Sequence, residues 1–190
     1  MNIIAGLARN VELSTPDSMK IRPTAGRARK ALFDSLGPLA GSGVADLCAG
    51  SGAFALEAAS RGADFALMVE KEFAHIRYIE ENIRRVQKTG VETCFQVVNS
   101  DIAAPGSYAS FLSRCDVIFA DPPYAVSAEL FQTLLHNELF LRHAEKALLI
   151  WEIPDTPGAA GAFLENSGLP DDMQLRQFGG TMFFLGTVGA

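Results

Sequence analysis

Cysteine is scarce. The 190 residues hold three, Cys48, Cys94 and Cys115, odd in number and scattered. That excludes a disulfide framework, and no pair has the spacing of a zinc ligand set, so no metal is expected. Histidine is as rare: His75, His136 and His143 have no sequence partner that suggests a triad or a metal site. Long apolar runs are missing too. Nothing approaches the roughly 20 residues needed to span a bilayer. Met1 to Ala8 has neither a basic start nor a long apolar stretch behind it, so a signal peptide is not expected. No repeat or low-complexity tract interrupts the chain. These absences suit a single domain in a reducing cytoplasm.

The content that remains is ordinary for a globular protein, 48% hydrophobic and 20% charged. The net charge of −6 argues against a polyanionic partner, but it is unevenly spread. Residues 1 to 33 carry six cations (Arg9, Lys20, Arg22, Arg27, Arg29, Lys30) against Glu12 and Asp17, a surplus of +4 that leaves −10 for the rest. A basic leading segment on an acidic body is a modest nucleic-acid signal. A solvated helix face explains it equally well.

The leading residues read as short extended pieces, NIIAGL and NVELST. Thr24 is a candidate N-cap for a helix over about Arg27 to Leu36, closed by Gly37 and Pro38. Strands and helices then alternate: strands at 44–48, 65–69, 95–98, 117–120 and 147–151, helices at 53–60, 73–88 and 128–135. Such alternation predicts a mainly parallel sheet with helices on both faces. At the end, MQLRQF and TMFFLG flank Gly179-Gly180, a hairpin signal. The expected fold is a doubly wound α/β sheet of seven strands ending in an antiparallel hairpin, with residues 1–36 as a small N-terminal extension and 37–190 as the main domain.

Within ADLCAGSGAFALEA (45–58), Gly50, Gly52 and Ala55 match G-x-G-x-x-G/A, a turn that lets a ligand approach the backbone. Glu70 closes the next strand about twenty residues on, where an acid can accept from ribose hydroxyls. Asp101 follows the third strand, in position for an adenine amino group. Asp46, Glu70 and Asp101 near consecutive strand ends point to an adenosine-containing cofactor. NAD fits the glycines and Glu70. Asp46 at the mouth of the turn suits a cation better than a pyrophosphate, which leans towards S-adenosylmethionine.

The fourth strand ends as DVIFADPPY (116–124). Methylating an exocyclic amine of a nucleobase requires two acceptors aimed at its N–H groups. Asp121 offers a carboxylate and Pro122 a main-chain carbonyl, held stiffly because Pro123 has no N–H and restricts its predecessor. Tyr124 can stack on the base, a contact of about 1–3 kcal/mol. Orienting two bound reactants removes on the order of 7–11 kcal/mol of barrier. Cys48, the histidines and the basic helix end Arg84, Arg85 and Lys88 have simpler structural readings, and Trp151 reads as core.

DPPY is the signature of amino-group methyltransferases acting on nucleic acid. More narrowly, NIIAG, RPT followed by Arg27 and ALFDSL, DLCAGSGAFALEAASRGA, VEK, DVIFADPPY, IWE and the late GGT occur in the order of the RsmD family, which the chain resembles over nearly its whole length. Those are bacterial small-subunit ribosomal RNA guanine-N2 methyltransferases with a Rossmann-like class I fold. The resemblance implies S-adenosylmethionine held by Asp46, Ala49, Gly50, Ser51, Gly52, Glu70, Lys71, Asp101, Ile102 and Asp121. It implies a guanine amine at Asp121, Pro122 and Tyr124, and ribosomal RNA or the small-subunit assembly against Arg9, Arg22, Thr24, Arg27 and Tyr124. A monomer in the cytoplasm is expected. The chain departs from the family pattern at Gly26 and Lys30, where acids are usual, and around Leu7 to Asn10, usually more basic. The alternatives are a DNA or RNA adenine-N6 methyltransferase, a NAD-dependent dehydrogenase, which leaves DPPY without a task, and a non-catalytic donor-binding module.

Overall fold

In the computed structural model, residues 1–16, 23–153 and 172–189 are described, with side chains of the second segment taken from Gly26 onward. Seven strands form one sheet: β1 Gly43–Asp46, β2 Phe65–Glu70, β3 Cys94–Asn99, β4 Val117–Ala120, β5 Leu148–Ile153, β6 Gln174–Phe178 and β7 Thr181–Thr187. Their order is β3-β2-β1-β4-β5-β7-β6. The first five strands are parallel, and β7 lies antiparallel between β5 and β6. This is the expected sheet, with strand ends shifted by one or two residues.

Strand alternation sorts the side chains. Ala45, Ile118, Ala120, Leu149, Trp151 and Phe184 meet one helical layer: α4 Ala109–Leu112, α5 Ser127–Leu135 and α6 Glu138–Ala144. Val44, Val117, Phe119, Ile150 and Phe183 meet the opposite layer, formed here by α1 Pro23–Leu36 and α2 Ala53–Ser60. The third helix on that side, α3 Phe73–Gln87, brings Ile79 beside Ala66 and Met68 of β2. Continuous apolar strands are the consequence of cover on both faces. Trp151 is fully buried, and its indole N–H donates to Ser127 Oγ at 2.9 Å.

Four local expectations change. Helix α1 starts at Pro23 rather than Arg27, so Thr24 falls inside its first turn and is not the N-cap. Proline is well suited to a first helical position, where its missing N–H costs nothing. Helices α4 and α6 were not anticipated. The first is a single turn after a 3₁₀ turn at Pro105–Ser107, and the second is capped by Asn137, whose Oδ1 accepts from the Phe140 amide at 3.0 Å. The two leading extended pieces fold back on each other, bridging Asn2 to Glu12 across a tight turn at residues 5–10.

That turn is fastened to α2 through a buried carboxylate. Glu57, 0% exposed, accepts from the amides of Ile4 (2.7 Å) and Ala5 (3.1 Å) and from Arg61 Nε (2.8 Å). Arg29 lies 3.9 Å from the same carboxylate and donates to the Asn2 carbonyl at 2.7 Å. Gly6, at φ +81°, passes so close to Ser60 that a Cβ would fall 1.7 Å from its carbonyl oxygen. Part of the basic surplus of the leading segment is therefore internal. Arg29 neutralises Glu57, and burial pulls its own pKa down. Glu57→Ala leaves two amides and the Arg61 Nε–H without their acceptor and removes the carboxylate that neutralises Arg29. It should cost about 3–5 kcal/mol of unfolding free energy in a urea titration, with Glu57→Gln costing less.

Candidate active site

Strand β1 is flanked by β2 on one side and β4 on the other. The crossovers from β1 run towards β3, while those from β4 run towards β5. A parallel sheet leaves its crevice where the connections part, at the carboxyl ends of the strands. A cleft of about 600 Å³ lies there, lined among others by Gly50, Glu70, Lys71, Asp101, Ile102, Asp121, Pro122 and Tyr124. The tertiary structure thus brings together residues from the turns after β1, β2, β3 and β4.

Main-chain bonds hold the rims of these turns. The Leu47 amide donates to the Phe119 carbonyl at 2.9 Å, that of Ala49 to Val69 at 3.0 Å and that of Ser100 to Glu70 at 3.0 Å. Asn99 Nδ2 donates to the carbonyls of Glu70 and Lys71, at 2.8 and 2.9 Å. Beneath the fourth turn, the Phe119 ring stacks on Phe54 of α2 with centroids 3.9 Å apart. This fixes the strand end from which Asp121 projects.

The glycines divide their work. Gly50 lines the cleft, and its amide donates to Glu70 Oε2 at 2.6 Å. Gly52, at φ +79°, is buried away from it, and a Cβ there would fall 2.9 Å from Met68 Sδ. That conformation and close approach serve the turn and the packing of α2 on β2. Glu70 is held on both sides, since Oε1 accepts from the Glu72 amide at 2.7 Å. Asp101 pairs with Lys71 at 2.7 Å and accepts from the Ala103 amide at 2.9 Å, and these contacts hold its carboxyl below the usual range.

Asp121 is half-buried and Pro122 buried. Among the described residues none donates a hydrogen bond to the Pro122 carbonyl, whereas that of Pro123 accepts from Val126 at 3.1 Å. Tyr124 opens a 3₁₀ turn, Tyr124–Val126, and is 39% exposed at the cleft.

Asp46, expected at the mouth of the glycine turn, is the last residue of β1. It is 2% exposed and outside the cleft lining, and among the described residues its Oδ1 has no hydrogen-bond partner. The cause is strand parity, since Asp46 shares the face of Val44, towards α1 and α2. Burial, then the charges of Asp121 and Glu70, raise its pKa to about 7, with the Cys48 and Ala55 amides acting in the opposite sense. Ala49, Ser51 and Gly52 are likewise buried and outside the lining. Arg27 is exposed on α1, its main chain against Gly179 of the β6–β7 turn. Arg9 is exposed in the turn bonded to Ser60, at the amino-terminal edge of the sheet and opposite the cleft. Arg22 and the Thr24 side chain lie outside the described residues.

Other residues enter the site unannounced. His75 lines the cleft with Nδ1 3.4 Å from Glu70 Oε1; its place on the third residue of α3 was the available signal. Glu72, Ser100, Val126, Glu129 and Leu130 also line it. Cys48 does so as well, and burial followed by the Asp46 charge raises its pKa, so it stays a thiol. His136 is exposed and bonded to the Gln132 carbonyl of its own helix, and half-buried His143 is bonded to Ser113 Oγ. Arg85 is tied to the Glu12 carbonyl and Glu81. Among the described residues no helix is long and apolar enough to cross a membrane, and no three His, Cys, Asp or Glu gather as a metal site requires.

The family model described as conserved hypothetical protein 95 matches residues 1–168. The chain belongs to that family. This is the RsmD family that the motifs resemble. Ribosomal RNA small subunit methyltransferase D of Escherichia coli K12 is 34% identical over 129 residues, which cover 65% of this chain and 60% of that relative. The match therefore spans less than two thirds of the curated relative's length. A solved hypothetical protein of Thermus thermophilus is 33% identical with TM-score 0.71, covering 99% of both chains. A solved putative methyltransferase of Escherichia coli, yhhF, is 28% identical with TM-score 0.67, covering 97% of this chain and 96% of that one. The family member thus has the Rossmann-like class I methyltransferase fold.

The raised Asp46 carboxyl has a consequence for stability. The folded chain holds that proton up to about pH 7, whereas the unfolded chain releases it near pH 4. Because the unfolded state then binds fewer protons, this group's contribution falls as pH rises from about 4 to 7 and levels off above. The stability of Asp46→Asn relative to wild type should therefore grow across that window, by on the order of 4 kcal/mol, in urea unfolding at pH 4, 5.5, 7 and 8.

Proposed function

We propose that this family member transfers a methyl group from S-adenosylmethionine to the N2 amine of a guanine in small-subunit ribosomal RNA. The observation that carries the reading is that Asp121, Pro122 and Tyr124 open into the same cleft as Gly50, Glu70 and Asp101. Charge supports the donor over a dinucleotide. Glu70, Glu72, Asp101, Asp121 and Glu129 line the cleft, while Lys71 is already paired with Asp101. The Gly50 amide, which a dinucleotide site would turn to pyrophosphate, is given to Glu70 instead. Such a lining suits a cationic ligand without phosphates.

Gly50, Glu70, Lys71, Asp101 and Ile102 would hold the donor, with Asp121 between donor and base and Asp46, Ala49, Ser51 and Gly52 supporting the turn from behind. When bound, S-adenosylmethionine supplies an electrophilic methyl group. The chain's own part is orientation. The Asp121 carboxylate and Pro122 carbonyl accept the two N–H groups of the amine, which turns its lone pair out of conjugation with the ring. Tyr124 stacks on a base turned out of its helix or loop. The amine's surplus proton passes to Asp121 or water. Arg22, Thr24 and Arg27 would flank the RNA near the cleft, and Arg9 would meet it only across the height of the sheet. We place the reaction in the cytoplasm, with residues 1–36 as an extension of a monomeric catalytic domain.

Labelled donor offered with small ribosomal subunits, free ribosomal RNA and DNA from a strain lacking this gene should yield N2-methylguanosine from the small-subunit RNA in nucleoside mass spectrometry. Label in N6-methyladenosine, or none, overturns the reading. Asp121→Ala should lower kcat on the order of 10²–10³-fold while S-adenosylhomocysteine binds within a few-fold of wild type by calorimetry. In thermal melts, S-adenosylhomocysteine at a hundred times its Kd should stabilise the fold by about 2.7 kcal/mol, and NADH should leave the transition unmoved.

A further inference from the structure

Two of the acids in the cleft are already engaged by the protein. Glu70 is held by the amides of Gly50 and Glu72, and Asp101 by Lys71 and the Ala103 amide. Glu129 differs. It stands in the first turn of α5, just beyond Tyr124 and Val126, and lines the cleft beside Leu130. Among the described residues no hydrogen bond or ion pair occupies its carboxylate.

This position has a chemical counterpart in the substrate. A guanine whose amine is held by Asp121 and Pro122 still presents N1–H on the same edge. Glu129 is exposed at the cleft rim, and a carboxylate there accepts that proton well in a charge-assisted bond. Adenine presents a lone pair at N1, which the same carboxylate repels. We propose that Glu129 is the specificity-determining residue of the site, accepting N1–H of guanine and rejecting adenine. This inference rests on the function proposed above and assigns to one side chain the choice between the two purines. The neighbouring Tyr124 is indifferent to it, because stacking is available to any base.

The test uses 2-aminopurine, which keeps the amine at C2 but has an unprotonated N1. Small-subunit ribosomal RNA, splint-ligated to carry guanosine or 2-aminopurine riboside at the mapped target and assembled with its proteins, is offered to wild type and Glu129→Gln. Wild type should favour guanine in kcat/KM on the order of 10²-fold. In Glu129→Gln, whose amide can donate to the bare N1, the preference should shrink to under about 5-fold. S-adenosylhomocysteine affinity should stay within a few-fold of wild type and the unfolding midpoint should not move, which separates base recognition from structural damage. A Glu129→Gln enzyme that keeps the wild-type preference overturns the inference and leaves the proposed function standing. A wild-type enzyme that marks no guanine N2 removes both.

Discussion

Strands β1 and β4 lie side by side, yet their crossovers leave in opposite directions, and the candidate site lies in the gap that this parting leaves. A right-handed connection from β1 carries the chain over one face towards β2 and β3. One from β4 carries it over the other face towards β5. No helix can cover the strand ends between them, so four turns meet around an open cleft. Each contributes what its sequence position permits: a glycine amide, a strand-end acid, an acid after a strand, and a proline-stiffened carbonyl.

The cleft is an electrostatic object as much as a shape. Carboxylates surround it, and part of their mutual repulsion is absorbed by main-chain amides at Glu70 and by Lys71 at Asp101. Behind them Asp46 is buried towards α1 and α2, where burial and its acidic neighbours favour the neutral carboxyl. An arrangement of this kind costs folding free energy, and such perturbed groups cluster at functional sites. On the far side of α2, the buried Glu57 performs a purely architectural task, joining the first residues, α1 and α2 through Ile4, Arg29 and Arg61.

Particular residues show why some features were readable before any coordinates and others were not. Val117 to Ala120 could be placed as a buried strand because cover on both faces leaves no polar residue in it. Asp121 to Tyr124 stood out because two prolines cannot continue a strand, and Gly179-Gly180 marked the terminal hairpin by turn chemistry. His75 and Glu129 could not be assigned. Whether the third residue of α3 or the first turn of α5 faces the cleft depends on how each helix rotates on the sheet, which short-range pattern leaves open. The side chain of Asp46 is a similar case. Its position at a strand end was legible, but the side of the sheet it faces is set by parity against layers not yet known. Arg29 looked like one of several surface cations until Glu57, a residue of another helix, claimed it.

The sequence alone determined the seven strands, the longer helices between them and the candidate chemistry of the strand-end turns, because periodicity, glycine and proline act over a few residues. Tertiary structure alone decided which acids share the cleft, which cations are spent inside the fold and which wall Glu129 joins. Those outcomes depend on distances between segments twenty to seventy residues apart, and such distances exist only once the sheet has assembled.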